Sequence, residues 1–168
     1  MALTRPSGYP IVSDPSAIVD EEVAQIDGRG RLYLAPRWTQ RIPWWVNSSA
    51  GDFSVLMVFV EPGLVSMRDL TTDGPRIAAR YSELVDLSNE DAMEALRLIQ
   101  DRYRRLPIDK ERRAHIGDGG LAHLGLSIER GEKSTVYVAI FPSRLDILSP
   151  TYRNMKMASG SPWLDDLP

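Results

Sequence analysis

Asp27-Gly28-Arg29-Gly30-Arg31-Leu32-Tyr33-Leu34 decides the reading of this chain, because a second stretch shares its frame. Asp101-Arg102-Tyr103-Arg104-Arg105-Leu106-Pro107-Ile108 also has an aspartate, three residues, then Arg-Leu. In the first stretch, Asp-Gly-Arg-Gly is a turn signal between Val23-Ala24-Gln25-Ile26 and Leu32-Tyr33-Leu34, which predicts strand, turn and strand. A short basic segment follows each stretch. Arg37 and Arg41 lie in a helix expected from Pro36 to Ile42, and Lys110, Arg112 and Arg113 in one expected from Asp109 to Ile116. Further on, Val58-Phe59-Val60-Glu61-Pro62-Gly63-Leu64-Val65-Ser66-Met67 parallels Val138-Ala139-Ile140-Phe141-Pro142-Ser143-Arg144-Leu145-Asp146-Ile147. Three elements in the same order twice imply an internal repeat, the first copy at about 23–87 and the second at about 97–155.

Working outward, Phe53 to Glu61 is a β-branched and aromatic run suited to a buried strand. Pro62-Gly63 turns it back into Leu64, Val65 and Met67. Thr72 or Asp73 is expected to cap a helix with Ile77, Tyr81 and Leu84 on one face, and a second helix begins near Ser88. Its apolar spacing, Ala92, Leu96, Ile99, Tyr103, carries helix through the place where the repeat requires a strand around Asp101. Gly117 to Gly120 reads as a helix stop, Leu121 to Ser127 as a strand, Thr135 to Phe141 as a β-rich run, and Leu145 to Leu148 as a half-exposed strand. Residues 1–22, dense in proline, are expected to form a flexible arm and 156–168 a flexible tail, leaving one domain over 23–155.

The composition, 43% hydrophobic and 26% charged, is that of a folded globular chain, and 168 residues suffice for one core. No cysteine is present, which excludes disulfides, thiolate metal sites and a cysteine nucleophile. The longest apolar run, Val55 to Val60, is far short of the roughly 20 residues that span a bilayer, and Met1 to Pro10 lacks the pattern of a secretory signal; a cytoplasmic protein is expected. Net charge is -3, but it is unevenly spread. Asp27 to Val46 carries +3 and Arg97 to Ile116 carries +4, two basic islands in an otherwise acidic chain.

The Asp-x-x-Gly-Arg signature at Asp27 to Arg31, its echo at Asp101 to Arg105 and the paired late strands resemble the AbrB-like swapped-hairpin transcription factors, and among them the two-repeat MraZ family. The resemblance covers about Val23 to Met155. It implies an α+β fold in which tandem repeats interlock hairpins into a small β-barrel with flanking helices. It also implies homo-oligomers and contact with double-stranded DNA by basic residues of the signature loops, which would make the protein nucleoid-associated.

Guanidinium groups suit that task because they form forked hydrogen bonds to phosphate oxygens or the guanine edge. The expected DNA-binding set is Arg29, Arg31, Arg37, Arg41, Arg102, Arg104, Arg105 and Arg112. Asp27, Gly30 and Asp101 are expected to brace the loops. Neither cofactor nor metal is expected, since His115 and His123 stand at no recognised ligand spacing. An enzyme is not expected either: the serines lack a Gly-x-Ser-x-Gly context, no carboxylate pair stands out, and Gly117 to Gly120 is no phosphate loop. The alternative is a protein-interaction or assembly module, or an antitoxin-like protein, that keeps the barrel without DNA binding. Its partner would dock on the Trp38, Trp44 and Trp45 cluster, for which core filling is the competing reading, or on the tail at Pro162 to Leu167.

Overall fold

The computed structural model describes residues 3–4, 10–11, 20–46, 53–126 and 132–158. Most of the expected N-terminal arm, and the tail beyond residue 158, lie outside the described residues. Within the arm, β1 (Leu3–Thr4) pairs with β2 (Pro10–Ile11). The main body then runs β3 (Asp20–Ile26), β4 (Arg31–Tyr33), α1 (Pro36–Thr39), α2 (Pro43–Val46), β5 (Phe53–Glu61), β6 (Leu64–Arg68), α3 (Leu70–Leu87) and α4 (Glu90–Arg102). It continues through β7 (Tyr103–Ile108), β8 (Arg113–His115), α5 (Gly117–Leu124), β9 (Ser134–Ile140), β10 (Leu145–Leu148) and α6 (Pro150–Ala158).

Eight of these strands close an antiparallel barrel in the order β10-β6-β5-β7-β8-β4-β3-β9, so the fold is α+β with a barrel at its centre. Closure leaves no free sheet edge in that barrel. The registers relate two halves by an approximate twofold. Leu32 of β4 lies opposite Ala114 of β8, and Ser66 of β6 opposite Asp146 of β10. Either side of these points the pairings mirror each other: Ala24 faces Val136 as Leu106 faces Val55. Each half's first hairpin, β3-β4 or β7-β8, is seated against the long strand of the other half, β9 or β5.

Alternation fills the interior. Ile26, Leu32, Val55, Met57, Val65, Met67, Leu106, Ala114, Val136, Val138, Leu145 and Ile147 form one buried cluster, each large member contributing about 1.5–3 kcal/mol. Two helical segments plug the ends. α1, α2 and the turn between them insert Trp38, Trp45 and Ile42, while α5 inserts Leu121 and Leu124. Each also ties down a hairpin turn of the other half: the Trp44 indole donates to the Ser143 carbonyl, and the Gly63 amide to the His123 carbonyl.

Several local expectations need correction. Asp109 to Ile116 is not a helix but a turn leading into β8, because the Asp109 carboxylate takes up the Glu111 and Arg113 amides and Arg112 sits at φ 64°. Leu121 to Ser127 is not a strand. Leu121 and Leu124, three apart, face the core from α5, which Gly117 begins rather than ends and Gly125 terminates at φ 70°. Residues Leu145 to Leu148 are fully buried rather than half-exposed, since Tyr152 of α6 covers Leu148 on the outer side. α3 is capped by Asp69 rather than Thr72 or Asp73, and α4 by Asn89. Asp20, Glu21 and Glu22, expected in the arm, belong to β3.

Around Asp101 both competing elements exist. α4 ends at Arg102, where the chain turns directly into β7 at Tyr103. α3 and α4 form a helical hairpin inserted between the halves, held by Leu84, Ala92 and Leu96. Among the described residues, no helix is long and apolar enough to cross a membrane.

Candidate nucleic-acid interface

The site is built from two turns. In the first, the Asp27 carboxylate accepts from the Arg29 amide (2.9 Å) and the Arg31 amide (3.0 Å), and Oδ2 pairs with Arg31 Nε at 2.7 Å. The Gly30 amide donates to the Asp27 carbonyl, and Gly30 is at φ 76°. No side chain fits there: a Cβ would lie 2.6 Å from the Gly117 amide nitrogen.

In the second turn, the same bonds recur on Asp109, not on Asp101. Asp109 accepts from the Glu111 amide (2.9 Å) and the Arg113 amide (2.8 Å), and pairs with Arg113 Nε at 3.1 Å. Asp101 instead lies exposed in the last turn of α4. The repeat frame is thus Asp27 with Asp109, not Asp27 with Asp101: the Asp-x-x-x-Arg-Leu match was coincidental, and Asp109-Lys110-Glu111-Arg112-Arg113 is the true echo. It lacks glycine, which concealed it. Arg112 takes the left-handed position of Gly30 and holds it by donating from Nε to the Leu34 carbonyl and from its terminal nitrogen to Thr39 Oγ1 at 2.6 Å.

Both carboxyls titrate below the usual carboxylate range. For Asp27, partial burial pulls upward, but the hydrogen bonds from the Arg31 amide, the Arg31 side chain and the Arg29 amide together outweigh it. For Asp109 the main cause is the bond from His115, whose Nε2 is 2.8 Å from Oδ2, followed by the Arg113 amide.

The turns flank one surface. β4 and β8 each bury only their central residue, so Arg31, Tyr33, Arg113 and His115 face outward, with Arg31 opposite His115 and Tyr33 opposite Arg113. On β7, Leu106 points inward, and its neighbours Arg105 and Pro107 are exposed. The outer face of β7-β8-β4-β3 therefore carries Arg105 on one strand, Arg29 at one turn and Lys110 at the other, all exposed and without an ion pair among the described residues.

The eight expected arginines divide. Arg31 is held by Asp27, Arg37 by Glu22 (2.6 Å), Arg41 by Asp20 (3.1 Å), and Arg112 by the Leu34 carbonyl and the Thr39 hydroxyl. Arg37 and Arg41 are thus paired with acids of β3, and Arg112 bonds across to the segment Leu34 to Thr39. Arg29, Arg102, Arg104 and Arg105 form no ion pair among the described residues, but they do not share one face. Arg104 points along the inner side to the barrel mouth, where its guanidinium lies 5.2 Å from the Phe59 ring, away from Arg105. In the second turn, Lys110 stands exposed without an ion pair among the described residues, while Arg113, in the place of Arg31, is held by Asp109 and Glu111. Trp38 and Trp45 are buried and Trp44 half-buried, stacked on Trp45 at 5.4 Å, so this cluster fills core. Among the described residues no group of acidic and histidine side chains could hold a metal. Compared with known proteins, the chain matches no family model and no curated sequence.

Proposed function

We propose that the chain is a DNA-binding regulator of the MraZ or AbrB type, engaging double-stranded DNA as an oligomer through the outer face of β7-β8-β4-β3. The observation supporting this most is the pair of equivalent, aspartate-braced turns flanking one outward surface. Rigid turns hold cationic side chains in fixed relation, which lowers the entropic cost of ordering them on a phosphate backbone. Three unpaired cations per protomer bind weakly; several protomers on one duplex bind together. A cytoplasmic, nucleoid-associated protein follows from this reading.

The test is fluorescence anisotropy on genomic fragments over a salt series. If Arg29, Arg105 and Lys110 each neutralise one phosphate, the log of the binding constant falls against log salt with a slope near about -2.7 per protomer, at about 0.9 per contact. A flat response overturns the reading.

A protein-interaction role is favoured by one separate observation. Val85, Leu87, Met93 and Leu98, all large and exposed, lie on the α3-α4 hairpin. Self-association through that hairpin would supply the oligomer, and sedimentation of a Leu87→Lys, Met93→Lys variant tests it: loss of the oligomer supports this surface, an unchanged oligomer removes it.

A further inference from the structure

The two halves differ most where their twofold relation should make them alike. On β3, Glu22 lies opposite Val138, as on β7 Arg104 lies opposite Met57. In the first half the Glu22 carboxylate is fully used. It takes a forked pair of bonds from Arg37, with the terminal nitrogen at 2.6 Å, and a third from the Trp38 indole at 2.7 Å. In the second half the corresponding strand residue is a cation, and the corresponding helix residues are Gly119 and Gly120. The correspondence is geometric as well as sequential: a Cβ on Gly119 would point at the Arg104 guanidinium, 3.5 Å away.

Where the first half has Arg37, the second has open space beside Gly119, whereas Gly120, in the place of Trp38, is buried against the Ile116 side chain. A cleft of about 620 Å³ lies between the end of α4 and α5, lined by Phe59, Leu98, Arg102, Arg104, Ala122 and His123. That volume is in the range that holds a small organic ligand. Its floor is apolar and aromatic, with the Phe59 and His123 rings 4.9 Å apart, and His123 fixed by a bond between Nε2 and the Leu64 carbonyl. Its rim carries two guanidinium groups. Asp101 is the one carboxylate lining it, and no ion pair joins it to Arg102 or Arg104. An open groove with an apolar floor, two guanidinium groups and one carboxylate keeps an excess of positive charge and selects an anion attached to an apolar body.

We infer that the cleft between α4 and α5 binds a small organic anion, an aryl or alkyl group bearing a phosphate or carboxylate, with Arg102 and Arg104 holding the charged group and Phe59 and Ala122 the apolar part. The anion takes the place that the Arg37 guanidinium fills in the first half, with the polarity of the pair reversed, since Arg104 stands where Glu22 does. This site is independent of DNA contact, since Arg104 points away from the face carrying Arg29 and Arg105.

The test is a titration of the full chain, followed by backbone amide NMR shifts, with phenyl phosphate in one arm and benzoate in the other; inorganic phosphate and benzyl alcohol serve as part-ligands. Saturable shifts centred on Phe59, Arg104, Ala122 and His123 are expected with at least one aryl anion, and the stronger arm identifies the charged group. Inorganic phosphate should bind about tenfold more weakly for want of the ring, and benzyl alcohol not at all. An Arg104→Glu, Gly119→Arg variant rebuilds the first half's ion pair in the second and should abolish these shifts. If it fails to fold, Arg102→Gln with Arg104→Gln should weaken binding at least tenfold. Shifts confined to Arg29 and Arg105, equal binding by the variants, or no saturable shift with either aryl anion would overturn the assignment.

Discussion

Asp27 and Asp109 hold two turns with one set of bonds: each accepts the amides two and four residues on, and each pairs with the arginine four residues on. Residues between them differ almost completely, so the carboxylate, not the turn sequence, defines the motif. Such an aspartate does for a turn what an N-cap does for a helix, supplying an acceptor to amides that would otherwise go unpaired. Asp27→Ala should therefore cost about 1 kcal/mol, and Asp27→Asn somewhat less, since the amide oxygen still accepts. Urea denaturation of the two variants measures both; a cost no larger than that of an exposed-surface substitution such as Arg80→Ala contradicts the bracing role.

Acid should weaken both turns. A carboxyl whose folded value lies below its unfolded one contributes stability above the unfolded value, near about 3.9 for aspartate, and that contribution is lost as pH falls toward the folded value. Asp27 and Asp109 are both shifted in that direction. Thermal midpoints of the wild type should therefore drop as pH falls below about 4, and more steeply than those of an Asp27→Asn, Asp109→Asn variant. Parallel curves for the two proteins would contradict a stabilising role for the ionised carboxylates.

Gly30 and Arg112 answer the same backbone demand differently. Both have positive φ, but a side chain on Gly30 runs into the Gly117 backbone, whereas Arg112 bonds across to Leu34 and Thr39. Gly30→Ala should cost about 2–4 kcal/mol, combining left-handed strain with a backbone clash. Arg112→Gly relieves strain but loses its bonds and should cost less than Arg112→Ala. Chemical denaturation of the three variants checks the order; a neutral Gly30→Ala would show that the turn yields.

Where the sequence was legible, it was so through strong local signals. The runs Phe53 to Glu61 and Thr135 to Phe141 read as strands because β-branched residues fill them, and Asp27 to Gly30 read as a turn because its glycines announce it. The second turn was illegible for the converse reason. Asp109 to Arg113 has no glycine and is rich in helix-forming charged residues, and only the Asp109 side-chain bonds and the cross-barrel bonds of Arg112 favour the turn. The spurious match at Asp101 followed from reading Arg-Leu as the anchor, when the burial of Leu32 opposite Ala114 is what aligns the halves. Basic residues were found by composition, but composition cannot tell a bridging arginine from a projecting one. Arg37 and Arg41 are consumed by Glu22 and Asp20, which lie fifteen and more residues away in the chain.

DNA affinity of an Arg29→Ala, Arg105→Ala, Lys110→Ala variant, measured beside an Arg37→Ala control with circular dichroism on both, bears most directly on the central claim. The triple variant should stay folded and lose at least tenfold in affinity, and its salt slope should approach zero, while Arg37→Ala, which removes a cation already paired with Glu22, should bind within about twofold of wild type. Wild-type affinity in the folded triple variant, or no binding by the wild type at low salt, would contradict the account.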